Sequence, residues 1–431
     1  MSLPYRTGSV FAETVRLFRR QQVAYKRNLV RRALENYLAY TTQQFQSIYV
    51  VALGANAGQL GVANGLGGIV GSVISLGGGW TANKRGTKVV FMFGTILMTS
   101  SALIFALASN WWACIPAIVL ITCSYYGVDS TICPMICGSC LKTEERATGM
   151  QTCDALSAIP RLAAPLVAAF LIMKFGGLSA SGIRPIFCLQ FIGCCFLAVF
   201  VWKMCRDPVT TQGFMKDSHG FFYGVRDIFG RAKKLKAWMM YQSLNDLPYY
   251  ANPVFWPLYA RSMKGANETT IGYMAALMAL VPLFLAIPVG RLADSIGRKW
   301  IIAAATVLFG FSVLGFITAT SQSELLISAF FQGLLQTMVV VRSTMNTERV
   351  PTAFLGTWLG ISTGFRALVG MTLSPILFGL IWEFIGPSYV YIFMFLLVTF
   401  SLAILVTIPD ARKDVNSKRE ASGLGLMSTR M

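Results

Sequence analysis

Apolar runs of about twenty residues alternate with short polar stretches along most of the chain. A helix of that length is about 30 Å long, the thickness of a bilayer's hydrocarbon core. The pattern predicts twelve spans, at 33–54, 58–78, 87–107, 112–138, 150–173, 183–203, 238–260, 270–289, 300–318, 324–345, 354–383 and 388–408. Three polar stretches interrupt it and set the domain plan: a basic N-terminal segment at 1–32, a linker at 204–237 and a tail at 409–431. Between them lie two blocks of six spans, 33–203 and 238–408. The expected fold class is an all-α membrane protein of twelve transmembrane helices in two six-helix bundles.

Four spans are too polar to face lipid all round. Asn36, Tyr40, Gln43 and Ser47 follow helical spacing on one side of the first span, with Glu35 beside them. Gln242, Asn245, Tyr249 and Asn252 form the matching face of the seventh. The fourth carries Tyr126 and Asp129, and the tenth carries Gln332 and Gln336 one turn apart. Such faces turn inward, towards other helices or a water-filled cavity. Interhelical hydrogen bonding alone would also account for them. Asp154 and Arg161 share one side of the fifth span, where Pro160 and Pro165 are expected to bend the helix. In the eleventh, Arg366 precedes a glycine- and proline-rich run from Gly370 to Gly379.

Composition agrees with the pattern: 55% of residues are apolar, 13% are charged, and the mean hydropathy is +0.59. The net charge of +19 could indicate a nucleic-acid partner, but its placement argues otherwise. On the predicted topology the two termini and every second loop carry 31 of the 37 Lys and Arg. The opposite loops carry only Lys174, Arg184, Arg261 and Lys264. Positive charge collects on the cytoplasmic side of membrane proteins, so both termini are expected there, in a cell membrane. The first 32 residues have no apolar core with a cleavage site, and are expected to lie on the anionic lipid surface or in water.

Catalytic chemistry finds little support. His219 is the sole histidine, and the spacing of Cys133, Cys137 and Cys140 suits packing in a span better than a metal site. No phosphate-binding loop of the G-x-x-x-x-G-K-[ST] type occurs. No enzyme activity, metal or cofactor is therefore expected. Asn267-Glu268-Thr269 is a glycosylation sequon that chance also explains.

One motif occurs twice. Gly290-Arg291-Leu292-Ala293-Asp294-Ser295-Ile296-Gly297-Arg298-Lys299 lies between the eighth and ninth spans. Gly79 to Lys88 repeats the pattern 211 positions earlier, with Gly86 in the place of Gly297 and Asn83 in the place of Asp294. Pro165 and Gly176 recur as Pro375 and Gly386 at nearly the same offset. Gly290 is expected to permit close helix approach, Gly297 a tight reversal, and Asp294 to accept hydrogen bonds near the basic Arg298 and Lys299. The G-x-x-x-D-x-x-G-R-K spacing resembles the loop signature of the major facilitator superfamily of secondary transporters. Asn83 departs from it by lacking the charge.

The resemblance implies two pseudo-symmetric bundles around a central cavity lined mostly by the first, fourth, seventh and tenth helices. It implies alternating access for a small solute, with the paired loops as gates. Proton coupling is the expected drive, through Glu35, Asp129, Asp154, Arg161, Asp246 and Arg366. Burial disfavours an ionised carboxylate and a nearby arginine favours it, so a substrate that displaces the arginine would drive proton uptake. Arg161 could pair with Asp129 or with Asp154. An uncoupled facilitator, or a membrane sensor on the same scaffold, would use these side chains without coupling. The partners expected are the solute, protons and the lipid bilayer, for a monomeric chain.

The charge asymmetry generates a topology test in a background without reactive native thiols. A membrane-impermeant thiol reagent applied outside cells should label Asn267→Cys and spare Ser218→Cys. The reverse labelling would invert the orientation.

Overall fold

The computed structural model describes residues 23–85, 87–125, 146–204, 233–347 and 355–408. Helices make up nearly all of this. They are α1 (Val23–Ala52), α2 (Ala57–Arg85), α3 (Thr87–Leu107), α4 (Cys114–Ser124), α5 (Arg146–Lys174) and α6 (Ala180–Met204). There follow α7 (Lys233–Lys264), α8 (Glu268–Ile296), α9 (Arg298–Thr318), α10 (Gln322–Thr337) and α11 (Val339–Thr347). The last are α12 (Leu355–Arg366), a π-helical segment (Ala367–Leu373), α13 (Ser374–Phe384) and α14 (Pro387–Thr407). Among the described residues, nine stretches are long and apolar enough to cross a membrane. The two longest helices, α1 and α7, fall outside that group because of their polar faces.

The helices outrun the predicted spans. α1 begins ten residues before 33 and takes in part of the basic segment. Its Arg31, assigned from sequence to the cytoplasmic charge, is only 2% exposed, lies 3.9 Å from the Phe91 ring and pairs with Glu35 one turn on. α8 runs through most of the 290–299 motif as helix, so that Gly297 alone separates it from α9. Gly297 has φ +112°, which is left-handed backbone that a side chain resists, and it makes the expected reversal. Gly290 does not make the expected close approach, since no described atom lies within 4 Å of where its Cβ would stand. α5 continues unbroken through Pro160 and Pro165.

Two compact units emerge: Met1–Lys216 with Asn267–Ala276, and Asp217–Ala266 with Leu277–Met431. In the first, α1 packs on α5 and α6, α3 on α4 and α6, and α2 on α4. Tyr25, Leu38, Phe91, Cys194 and Leu197 form a core there. Gly272, in the short segment joined to this unit, sits against Pro165 and Ala169 of α5. The second unit repeats four of these five pairings: α7 on α13 and α14, and α9 on α10 and α14. The offset of about 210 residues in sequence is thus an offset in packing as well.

Polar side chains close the helix ends. Asn56 and Gln59 exchange hydrogen bonds at the start of α2, at 2.7 and 3.0 Å. Ser179 caps α6, Ser321 caps α10, and Asn267 caps α8 by accepting from both Thr270 N–H and its hydroxyl at 2.8 Å. The sequon asparagine therefore has a structural task. At the opposite ends, cations meet the last carbonyls, where the helix dipole is negative. Arg184 reaches Ala108 O at 2.6 Å, and Lys264 reaches Ile317 O and Ala319 O at 2.7 and 2.8 Å. Two of the four cations assigned to the sparsely charged side are thus tied to helix ends.

The two motif glycines separate in a stability measurement. Gly297→Ala should cost about 1–3 kcal/mol through its backbone conformation. Gly290→Ala should be neutral or stabilising by up to about 1 kcal/mol, as for any unconstrained helix-interior glycine. Thermal unfolding of the purified variants decides both.

Candidate functional site

The polar face of α7 is the framework of the candidate site. Asp246 has no exposed surface in a helix bracketed by apolar partners. A lone carboxylate there would cost several kcal/mol, so its charge has to be met in place. Arg366, the last residue of α12, donates from Nε to Asp246 Oδ2 at 2.5 Å and from Nη2 to Oδ1 at 3.4 Å. Arg342 of α11 places Nη1 2.8 Å from Asp246 Oδ1 and 2.9 Å from Asn245 Oδ1. One carboxylate thus joins three helices.

Two breaks in helix geometry bring the arginines there. α10 ends at Thr337, and Met338 (φ −90°, ψ −7°) turns the chain into α11. After Arg366 the backbone widens into the π segment, where Ser374 N–H bonds to Val369 O, five residues back. Pro375 follows and has no N–H to offer a normal ladder. Gly370 lies inside this segment, where a Cβ would run into the Tyr250 ring. Ser374 then donates to Leu247 O at 2.5 Å.

Next to the ion pairs lies a hydrogen-bonded lattice. Trp238 Nε1 donates to Asn346 Oδ1 at 2.9 Å, Trp358 Nε1 to Asn346 O at 3.0 Å, and Asn346 Nδ2 to Ser362 Oγ at 3.2 Å. Ser362 in turn reaches Gln242 Oε1 at 3.4 Å. Tyr249 donates to Gln336 Oε1 at 3.3 Å, and its ring lies 5.3 Å from the Arg342 guanidinium carbon. A cavity of about 20 Å³ opens among Tyr241, Asn245, Tyr249, Thr306 and Arg342.

The sequence-predicted residues divide accordingly. Asp246 and Arg366 meet, and Gln242, Asn245, Tyr249 and Gln336 join the same network. Asn252 and Gln332 are buried in the same unit. In the first unit Asn36 donates to Ser157 O at 3.1 Å, and Arg161 stacks over Tyr40 at 4.0 Å. Glu35 is taken by Arg31, and Gln43 is exposed. Tyr126, Asp129 and Gly86, with Cys133, Cys137 and Cys140, lie outside the described residues, as do the side chains of Asn83, Asp154 and Asp294. Lys299 reaches Val406 O at 2.7 Å.

Sequence reasoning missed Arg342, counting it among cytoplasmic charges near a span end, although it is buried. It also missed Asn346, Trp238 and Trp358. A usable signal existed, because Arg342 and Asn346 are four apart, on the helix side continuing from Gln332 and Gln336.

Repeated pairing of helices and, among the described residues, nine apolar stretches give a multi-pass helical membrane architecture, and solved structures match it to the fold of the major facilitator superfamily of transporters. The model of that superfamily matches residues 238–430. An uncharacterised MFS-type transporter of Methanocaldococcus jannaschii is 28% identical over 137 residues, 32% of this chain. The match spans only 35% of that relative's length. Among solved structures, the nucleoside transporter NupG aligns with TM-score 0.71 at 14% identity, over 89% of this chain and 98% of its own. A D-xylose–proton symporter aligns with TM-score 0.68 at 15% identity, covering 93% and 98%. A peptide transporter solved with sulfate gives 0.69 at 14%, covering 89% and 93%.

The site's energetics can be read by substitution. Asp246→Ala leaves the buried Arg342 guanidinium and the half-buried Arg366 guanidinium facing no charge and should cost about 3–5 kcal/mol. Asn346→Leu strands Trp238 Nε1 and should cost about 1–3 kcal/mol. Denaturation in detergent measures both, and a smaller loss in the first than in the second would contradict the ion-pair account.

Proposed function

We propose that this chain is a secondary transporter that moves a small solute across a cell membrane by alternating access, coupled to protons. Its halves are 33–203 and 238–408, joined by the cytoplasmic linker 204–237. The observation that carries the reading is Asp246, wholly buried and held by arginines from two other helices. A purely structural ion pair needs one partner of each sign, and a second arginine at the same carboxylate provides a cation that a substrate can engage. Charge at membrane depth is expensive enough that it usually marks a pathway or a relay.

Transport is also supported by the solved relatives, whose names describe movement of nucleosides, peptides and, with protons, D-xylose. The polar side chains of α7, α10 and α11 form one wall of the solute site, and Asp246 is the carboxylate that exchanges its proton. In the first half Asn36 stands where the second has Asp246, and Arg161 stacks over Tyr40. An uncoupled facilitator is the rival reading, and flux alone separates the two.

Proteoliposomes holding the purified protein should accumulate a transported solute under an imposed pH gradient and only equilibrate it without one. Asp246→Asn should lose gradient-driven accumulation by tenfold or more while retaining solute exchange. Equal accumulation by Asp246→Asn and wild type would remove Asp246 from coupling.

A further inference from the structure

The triad of Asp246, Arg342 and Arg366 holds two positive charges and one negative. Among the described acidic side chains of this unit other than Asp246, Glu324 and Glu383 are both exposed, so neither balances the surplus as a buried carboxylate. Uncompensated buried charge is costly, and proteins meet it with a counter-charge or a bound ion.

The cavity beside Arg342 has the features of a place for one. Asn245 lines it and is 3% exposed. Arg342 can only donate, so the Asn245 atom that accepts from it is the oxygen. That leaves Nδ2 as the free amide end, and it has no hydrogen-bond partner although it is buried. The Thr306 hydroxyl is spent on Ile302 O at 2.9 Å, so the Tyr241 hydroxyl is the donor in their 3.4 Å contact. So long a bond is readily redirected. The lining therefore offers a guanidinium, an idle amide N–H and a weakly held phenol O–H, against the apolar walls of Ile302 and Ala305. Its strongest acceptor, Asn245 Oδ1, is already occupied. A volume of about 20 Å³ exceeds the 10–15 Å³ that one water-sized occupant needs.

We propose that this cavity binds a small monovalent anionic group, which neutralises the second arginine and completes the hydrogen bonding of Asn245. The inference deepens the transport site proposed above. The group is either a free halide or a carboxylate oxygen of the solute itself. A cation is repelled by Arg342, and a water molecule can accept from the lining donors but leaves the second arginine's charge unmatched.

The test is thermal unfolding of the purified full-length protein in sodium gluconate, with chloride or acetate replacing gluconate at constant ionic strength. A saturable rise in Tm with chloride, acetate or both is expected. A response to chloride identifies an inorganic ion, and a response to acetate alone identifies the carboxylate source. Asn245→Asp places a fixed negative charge beside Arg342 and should abolish the anion response. Ala305→Val fills the cavity from its apolar side and should abolish it as well, which keeps the test intact if the first variant does not fold. An unchanged Tm in both anions, or an anion response that survives in every folded variant, would overturn the proposal. Binding is read without flux, so failure to transport would leave it standing, and flux without an anion response would remove it alone.

Discussion

Asp246 can be ionised and buried only if cations come to it, and the second unit's irregularities follow from that demand. Two arginines must reach one carboxylate from different helices. Arg342 reaches it from four residues beyond the break at Met338, and Arg366 from the residue just before the π segment. Those breaks have to be secured in turn. Asn346 ties α7, α11 and α12 together, and Gly370 gives Tyr250 room to lie against the widened backbone. Removing the carboxylate would leave that apparatus holding like charges apart.

The first unit shows the same scaffold without this constraint. The internal offset carries Asn36 onto Asp246 and Tyr40 onto Tyr250. Asn36 is neutral, and it is satisfied by one backbone carbonyl. Arg161 of α5 stacks on that tyrosine. The paired motifs differ in the same sense, with Asn83 in one half and Asp294 in the other. The two halves share most of their helix pairings, and at these two corresponding positions the second carries the acid.

What could be read from the chain followed from period and charge. Span-length apolar runs and the polar residues of α7, with Asp246 and Arg366 as charges at membrane depth, were legible, because helical spacing and the cost of charge in lipid are local rules. Arg31 and Arg342 were not, since each stands near a span end where the charge rule assigns basic residues to water. Only tertiary contact reveals that Phe91 and Glu35 receive one and Asp246 the other. The extent of α1 and α8 was hidden for the same reason, as polar residues at the ends of long helices look like loop. Gly290 misled differently: a glycine within a motif suggests contact, yet its surroundings among the described atoms are open.

The π segment has a further consequence, for length. In a regular α-helix, eight residues advance two turns and about 80° more. Ser374 would then be rotated well away from the side of the helix that carries Arg366. The wider turns between them advance less per residue and shrink that angle, so both side chains meet neighbouring residues of α7, at Asp246 and Leu247. The arginine's aim is therefore set by how many residues lie in 367–373, more than by which residues they are. Deleting one would restore an ordinary ladder and rotate the guanidinium off its carboxylate. Along this helix, Gly370 aside, the chain can accept changes of spelling more easily than changes of count.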